Sequence, residues 1–389
     1  MSRALVLADE QIFPVRSGGQ LLIAHEISAL QMLFDVQVLI CTRQDSDNSS
    51  APADTLVFPR KSLMRGMLLD PLSSYQFSSR AIWPLVRRRL GELKPCALII
   101  CHHEWMIPLA LKIREHWCRN AKIVLRSHND EYSFFSSLRS SSRGWRRAYY
   151  LLEMLRMSRQ QLANHAASAD DVWALTNMDR ESAFSRLRDV EILPPALIAG
   201  RPERRTQLPP KRSLAFLGSL DMAHAVDGLE WFIKNVLPVV VRLRPDCTLY
   251  VGGRRAPKGL LDTIKRTENV VYVGEVDDAR AFVRSHRVYI NPVFSGSGIN
   301  MKMGLPIEVG VPVVTTHLGL RGLDKLRDAI FQSDSADEQA GEIDRLLTSD
   351  TYWIESSASL THAGGAYSID NISLQMKSRV AALLSREEM

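Results

Sequence analysis

FSGSGINMKMGLPIEVGVPVVTTHLGLRGL, Phe294 to Leu323, is the stretch from which the rest of the chain can be read. It follows the apolar run VYINPV (288–293). It then sets a short glycine–serine loop, a lysine, a helix-like run, the β-branched run PVVTT (312–316) and more glycine. Strand, glycine loop, helix and strand in that order are the unit of a parallel sheet. Gly296, Ser297 and Gly298 free the backbone to approach a ligand closely and to turn N–H groups toward one point. The helix N-terminus adds roughly half a positive charge, and Lys302, one turn in, adds a full one. Together they make a cradle for a phosphate or diphosphate; the alternative is a plain glycine turn. The GxxxxGK[ST] spacing is absent, and GxGxxG fails because Met301 stands three residues after Gly298.

The same grammar runs outward in both directions. Short β-branched or aromatic runs occur at 4–8, 36–41, 97–101, 122–126 and 171–175, then at 214–218, 247–252, 270–274, 288–293, 312–316 and 329–332. Helix-length segments separate them, as in sheets of parallel strands joined by crossover helices. A chain of 389 residues implies more than one domain. The proline- and charge-rich stretch PPALIAGRPERRTQLPPKRS (194–213) marks the division. The expected layout is a first α/β domain over 1–194, a linker over 195–212 and a second α/β domain over 213–365. A terminal amphipathic helix at about 366–389 is expected to return to the first domain.

Composition narrows the class further. Hydrophobic residues make up 46% and charged residues 24%, as in a soluble protein with a sizeable core. The formal charge of +6 suits an anionic partner without choosing one. Cys41, Cys96, Cys101, Cys118 and Cys247 form no CxxC pair and read as buried reduced thiols, which places the protein in a reducing cytoplasm. MSRALVLADE turns acidic too early for a signal peptide. No run reaches the roughly 20 apolar residues that span a bilayer, so any membrane role is peripheral.

Ligands of open parallel sheets bind at the carboxyl ends of the strands. There the sequence places DEQIFPVRSGGQ, HHEW, SHNDEY and TNMDRE in the first half. In the second half it places SLDMAHAVDG, GRRAPKG, EVDD, FSGSGIN and HLGLRG. NPVFSGSGINMKMGLPIEVGVPVVTTHLGLRGL resembles the nucleotide-binding core of the family 4 retaining glycosyltransferases, enzymes of the GT-B fold. LAFLGSLDMAHAVDGLEWFIKNVLPVVVRLRPDCTLYVGG resembles the entry to their C-terminal domain, and FPVRSGGQ and RSHNDEY resemble two loops of their N-terminal domain. The likeness is strongest over 214–323 and weak around 45–95. It implies an α/β protein of GT-B type, two doubly wound Rossmann-like domains facing each other across a cleft.

The resemblance also implies roles. Gly296, Ser297, Gly298 and Ile299 would wrap the diphosphate of a nucleoside diphosphate sugar. Lys302 would neutralise the charge that grows on the leaving group. Gly218 and Ser219 join the donor side, and Gly18 and Gly19 would close on the diphosphate from the first domain. Arg254 and Arg255 are a second cationic contact or a solvated turn. His128 holds the position of the family's active-site histidine, able to hydrogen-bond the sugar or move a proton. His102 and His103 resemble an acceptor-side loop. Asn129, Asp130 and Glu131 orient His128 or cap a helix. Front-face displacement needs neither a protein nucleophile nor a metal, so no cofactor is implied. The DxD of Asp45-Ser46-Asp47 reads as a solvated loop.

One departure stands out. Relatives carry a ribose-binding glutamate where this chain has Leu305, and Glu308, nearly one turn on, is the available substitute. The expected activity is metal-independent transfer of a sugar, with retention, to a glycan or lipid-linked saccharide acceptor, as in polysaccharide biosynthesis. Leu305 keeps open a degenerate binding or regulatory subunit, and a nucleotide-sugar epimerase would need more acid–base groups than His128 alone. Nucleic acid is not an expected partner. The basic, aromatic helix within 137–161 is either an ordinary charged-rim helix or a contact with an anionic membrane, which would put the protein at the membrane's inner face.

Overall fold

A computed structural model describes residues 2–9, 11–15, 17–42, 54–59, 79–156, 159–184, 190–209, 212–296 and 298–385. The chain divides into two compact units, Met1–Ala196 with Ile369–Met389, and Leu197–Ser368. The boundary falls inside the proline-rich stretch. Residues 197–212 therefore belong with the second unit rather than standing apart as linker: Leu197 N–H donates to the Tyr367 carbonyl at 2.8 Å, and Ile198 bridges Ser368.

The first unit is built on seven parallel strands: β1 (Arg3–Ala8), β2 (Asp35–Thr42), β3 (Thr55–Pro59), β4 (Leu98–His102), β5 (Lys122–Arg126), β6 (Asp171–Ala174) and β7 (Val190–Ile192). Their order is β3-β2-β1-β4-β5-β6-β7. β3 and the three-residue β7 are the two strands not expected from apolar runs. Side chains alternate between faces, as strand geometry requires. Leu5, Leu7, Ile99 and Ile123 bury on one face with the helix Ile107–His116, and Ala4, Val6, Ala8 and Ile100 on the other with the helix Gly18–Gln31. The terminal helix Ile369–Ser385 lies on this second face, where Ser373 Oγ donates to the Ala29 carbonyl at 3.0 Å.

The second unit holds β8 (Ser213–Leu217), β9 (Thr248–Gly252), β10 (Val270–Gly274), β11 (Val288–Asn291), β12 (Val313–Thr315) and β13 (Phe331–Gln332). The strand order is β10-β9-β8-β11-β12-β13, again all parallel. Both sheets turn back on themselves after their first strand, between β1 and β4 and between β8 and β11. At such a reversal the flanking loops diverge and leave a crevice for a ligand.

Candidate functional site

In the second unit the reversal point is framed by the loops after β8 and β11. Asn291, fully buried at the end of β11, organises the second of these. Its amide donates to Thr315 Oγ1 at 3.0 Å, and its Oδ1 accepts from Asn300 Nδ2 at 3.0 Å. Thr316 Oγ1 donates to the Val293 carbonyl and accepts from the N–H groups of Val293 and Gly319, each at 3.2 Å. These bonds tie both ends of the glycine loop to β12, so the loop is held although it is exposed. Within it, among the described residues, no atom beyond the chain neighbours lies within 4 Å of where a Cβ would stand on Gly296 or Gly298. Gly296 has φ +134°, a value open to glycine. Ser297 lies outside the described residues.

Lys302 follows this loop in the chain. Its Nζ sits 5.1 Å from the centre of the Phe216 ring and 4.0 Å from the Cβ position of Gly218. Among the described residues no carboxylate lies within ion-pair distance of it. Burial pulls its pKa down to about 8. It also helps to depress His224, whose own burial is the larger cause. His224 is a neighbour that sequence reasoning did not single out.

The donor-side residues of the β8 and β9 loops come together. Gly253, at φ +155°, passes so close that a Cβ on it would lie 2.2 Å from the Gly218 carbonyl oxygen. Leu220 N–H donates to the Arg254 carbonyl at 3.2 Å. Ser219 and Arg255 are exposed, and Arg255 pairs with Asp221 at 3.1 Å. Ile299 is half-buried at the loop's end. Glu308 does not stand free as a substitute ribose anchor. Arg280 Nη1 holds its Oε1 at 2.6 Å while also binding Glu203, so one of its two oxygens is already engaged.

In the first unit the reversal point carries histidines. His102 ends β4 and His128 follows β5 by two residues, and adjacent parallel strands place them side by side. His102 Nδ1 lies 2.8 Å from His128 Nε2. The His103 ring centre is 4.2 Å from that of His128, and His103 stacks on Trp105 at 4.4 Å with the planes 7° apart. His103 has φ +78° and ψ 150°, a strained backbone for a residue with a side chain, costing on the order of 1–3 kcal/mol. Trp105 Nε1 donates to Asp9 Oδ2 at 2.8 Å, joining the loops after β1 and β4. The three histidines therefore form one cluster, not an acceptor loop separate from a catalytic residue.

Beneath the cluster lies a buried ion pair. Arg126 Nε donates to Glu26 Oε1 at 2.7 Å, and Arg126 Nη1 to the Leu193 carbonyl at 2.7 Å. Burial is the first cause holding His102 and His128 well below the usual imidazole range; His103 and the Arg126 charge push the same way. Both rings are neutral near pH 7, and one N–H bridges them. His102 Nε2 is buried without a hydrogen-bond partner, as is Asn129 Oδ1 beside His128. Asp130 caps the helix Glu131–Ser141, accepting from Ser133 N–H at 3.1 Å, which answers the choice left open for it. Gly18 and Gly19 are exposed in the first turn of their helix. Ser17 and Gln20 cap that turn reciprocally. Asp45, Ser46 and Asp47 lie outside the described residues.

Residues 211–349 match the family model described as Glycosyl transferases group 1. The matched segment lies inside the second unit. Over the whole chain the fold is the GT-B glycosyltransferase fold. A UDP-forming α,α-trehalose-phosphate synthase from Burkholderia xenovorans superposes with a TM-score of 0.64 at 13% identity, covering 98% of this chain and 99% of that one. Anabaena Alr3699/HepE, solved with UDP and glucose, superposes at 0.63 and 15% identity, covering 98% and 100%. A Klebsiella pneumoniae relative, described as an uncharacterized 44.6 kDa protein in the cps region, is 22% identical over 345 residues, 83% of this chain and 84% of its own length. The matched segment thus contains Lys302 and the glycine loop, while His102, His103 and His128 lie outside it.

The depressed histidines fix a pH response. Below the unfolded imidazole value of about 6.5 the unfolded chain takes up protons that native His102 and His128 refuse, so stability falls as pH falls. The melting temperature of the protein should drop between about pH 6.5 and 5, and less steeply in a His102→Gln/His128→Gln variant. His165 and His224, also depressed, keep part of the slope. A wild-type profile flat across that window contradicts the assignment.

Proposed function

We propose that the protein is a retaining, metal-independent glycosyltransferase that moves a sugar from a nucleoside diphosphate sugar to a glycan or lipid-linked saccharide. The observation that carries this reading is the half-buried Lys302 ammonium, without a carboxylate partner among the described residues, which follows the glycine loop in the chain and stands against Gly218 and Phe216 at the reversal point of the second sheet. In the reaction the bond from the anomeric carbon to the diphosphate oxygen breaks. Negative charge grows on that oxygen, and Lys302 with the N–H groups of the loop stabilises it. The acceptor hydroxyl attacks on the same face and passes its proton to the departing diphosphate. His128, neutral and bridged to His102, hydrogen-bonds a hydroxyl of the transferring sugar.

A second reading is a subunit that binds a nucleotide sugar without turnover. Leu305 in place of the expected glutamate, with Glu308 held by Arg280, favours it. Thermal-shift titration with UDP, GDP, ADP, dTDP and their sugars, followed by assay of sugar release, separates the two. Binding with release of the nucleotide supports the enzyme; binding without any release under every acceptor tried supports the subunit.

Lys302 predicts how binding depends on pH. Below about pH 8 the ammonium is already charged; above it, a bound diphosphate must draw in a proton. Affinity should fall up to about tenfold per pH unit above 8. Lys302→Gln should lose about 10- to 100-fold at pH 7 and show no such fall. Equal affinity of Lys302→Gln and wild type, measured by calorimetry, sinks the assignment.

The lipid-linked acceptor would bring the first unit to a bilayer. Among the described residues no helix is long and apolar enough to cross one. The helix Trp145–Arg156 exposes Trp145, Leu151, Leu152 and Leu155, with Arg143 and Arg147 exposed beside them. Such a face suits an anionic surface. Sedimentation with vesicles should show binding to anionic but not neutral lipid, weakened by salt and by Trp145→Ala/Leu155→Ala. Indifference to lipid charge contradicts it.

A further inference from the structure

The sequence offers five cysteines with no paired spacing, yet the fold brings two of them into contact. Cys96 precedes β4 and Cys118 follows the helix Ile107–His116, and their sulfurs lie 3.2 Å apart. Cys96 N–H also points at Cys118 Sγ, at 3.4 Å. The surrounding backbone is fixed: Ala121 N–H donates to the Cys118 carbonyl at 2.8 Å, and Lys122 N–H to the Ala97 carbonyl at 3.0 Å.

We infer that Cys96 and Cys118 are a modification site, a dithiol that low-molecular-weight disulfides of the glutathione type convert to an intramolecular disulfide. Three features single out this pair. Cys96 is only half-buried, whereas Cys41, Cys101 and Cys247 are fully enclosed. The sulfurs are within reach of bonding by a small rotation of each side chain. The Cys96 side chain and N–H together draw the Cys118 pKa down to about 7, and the same contact with burial holds the Cys96 thiol well above its usual range, so the pair's proton rests on Cys96; burial pushes the Cys101 thiol up and that of Cys247 to about 12.

The exchange balances as follows. The pair shares one proton, and its transfer from Cys96 to Cys118 leaves a Cys96 thiolate at the accessible sulfur. That thiolate attacks one sulfur of the small disulfide, forming a mixed disulfide and expelling a thiolate that takes the proton from Cys118. The Cys118 thiolate then attacks the Cys96 sulfur, closing the protein disulfide and expelling the second small thiolate. Two protein thiols are oxidised, and one small disulfide is reduced to two thiols. The new bond would staple the lead-in of β4 to the lead-in of β5. Those strands and the helix Ile107–His116 form the βαβ unit whose opposite end carries His102, His103 and His128, so the site's redox state bears on the rigidity of that unit.

The test uses the full-length reduced protein in glutathione buffers of increasing oxidising strength. Acid quenching, alkylation of the remaining thiols and peptide mapping follow. The expected result is simultaneous loss of alkylation at Cys96 and Cys118, a cross-linked peptide joining them, and a higher melting temperature for the oxidised form that dithiothreitol reverses. Cys118→Ser should instead hold a stable glutathione adduct on Cys96. Both thiols still alkylated in buffers that fully oxidise free dithiothreitol would overturn the proposal, as would a wild-type protein carrying only the glutathione adduct.

Discussion

Lys302 puts a positive charge where it has neither full water nor a carboxylate partner among the described residues. The downward pull on its pKa corresponds to on the order of 3 kcal/mol against the charged form. The face of Phe216 returns only about 1 kcal/mol of cation–π attraction. An anion at the glycine loop would offset that penalty. The rest of the second unit's carboxyl edge is arranged around that charge. Asn291, Thr315 and Thr316 hold the loop ends, and Gly253 brings the β9 loop against the β8 loop. The space beside Gly296 and Gly298 is kept clear.

The first unit solves the opposite problem. His102 and His128 are kept neutral, so they can give and accept hydrogen bonds to uncharged hydroxyls. Burial does most of this, and the charge of Arg126 assists although Glu26 neutralises much of it. The pair also anchors β5 to the helix Gly18–Gln31 and to the Leu193 carbonyl, so electrostatics and architecture share one contact. A neutral histidine pair thus marks the first unit, and a cation without a carboxylate partner among the described residues marks the second.

Features encoded locally were legible in the sequence. Phe294–Leu323 holds loop, cation, helix and strand in one continuous stretch, and almost every apolar run became a strand because both faces of these sheets are buried. β3 and β7 escaped because one lies in a weakly patterned region and the other is three residues long. The pairing of His102 with His128 was hidden because 26 residues of crossover separate them; only strand adjacency brings them together. Cys96 and Cys118 were hidden for the same reason. Asn291 and Thr316 read as ordinary strand-end residues until the neighbouring strand supplied their partners. Glu308 looked free on its helix because Arg280, its partner, sits on a different one. The stretch at 195–212 looked like linker by composition, yet Leu197 and Ile198 pair with Tyr367 and Ser368, far off in sequence.

The central claim is that the glycine loop and Lys302 are where a nucleoside diphosphate binds. Hydrogen–deuterium exchange of the whole protein, with and without the nucleoside diphosphate that binds most tightly, tests it most directly. The account predicts slowed exchange in 294–303 and 218–222, lost in Lys302→Gln. Protection confined to other segments, or undiminished in that variant, would contradict it.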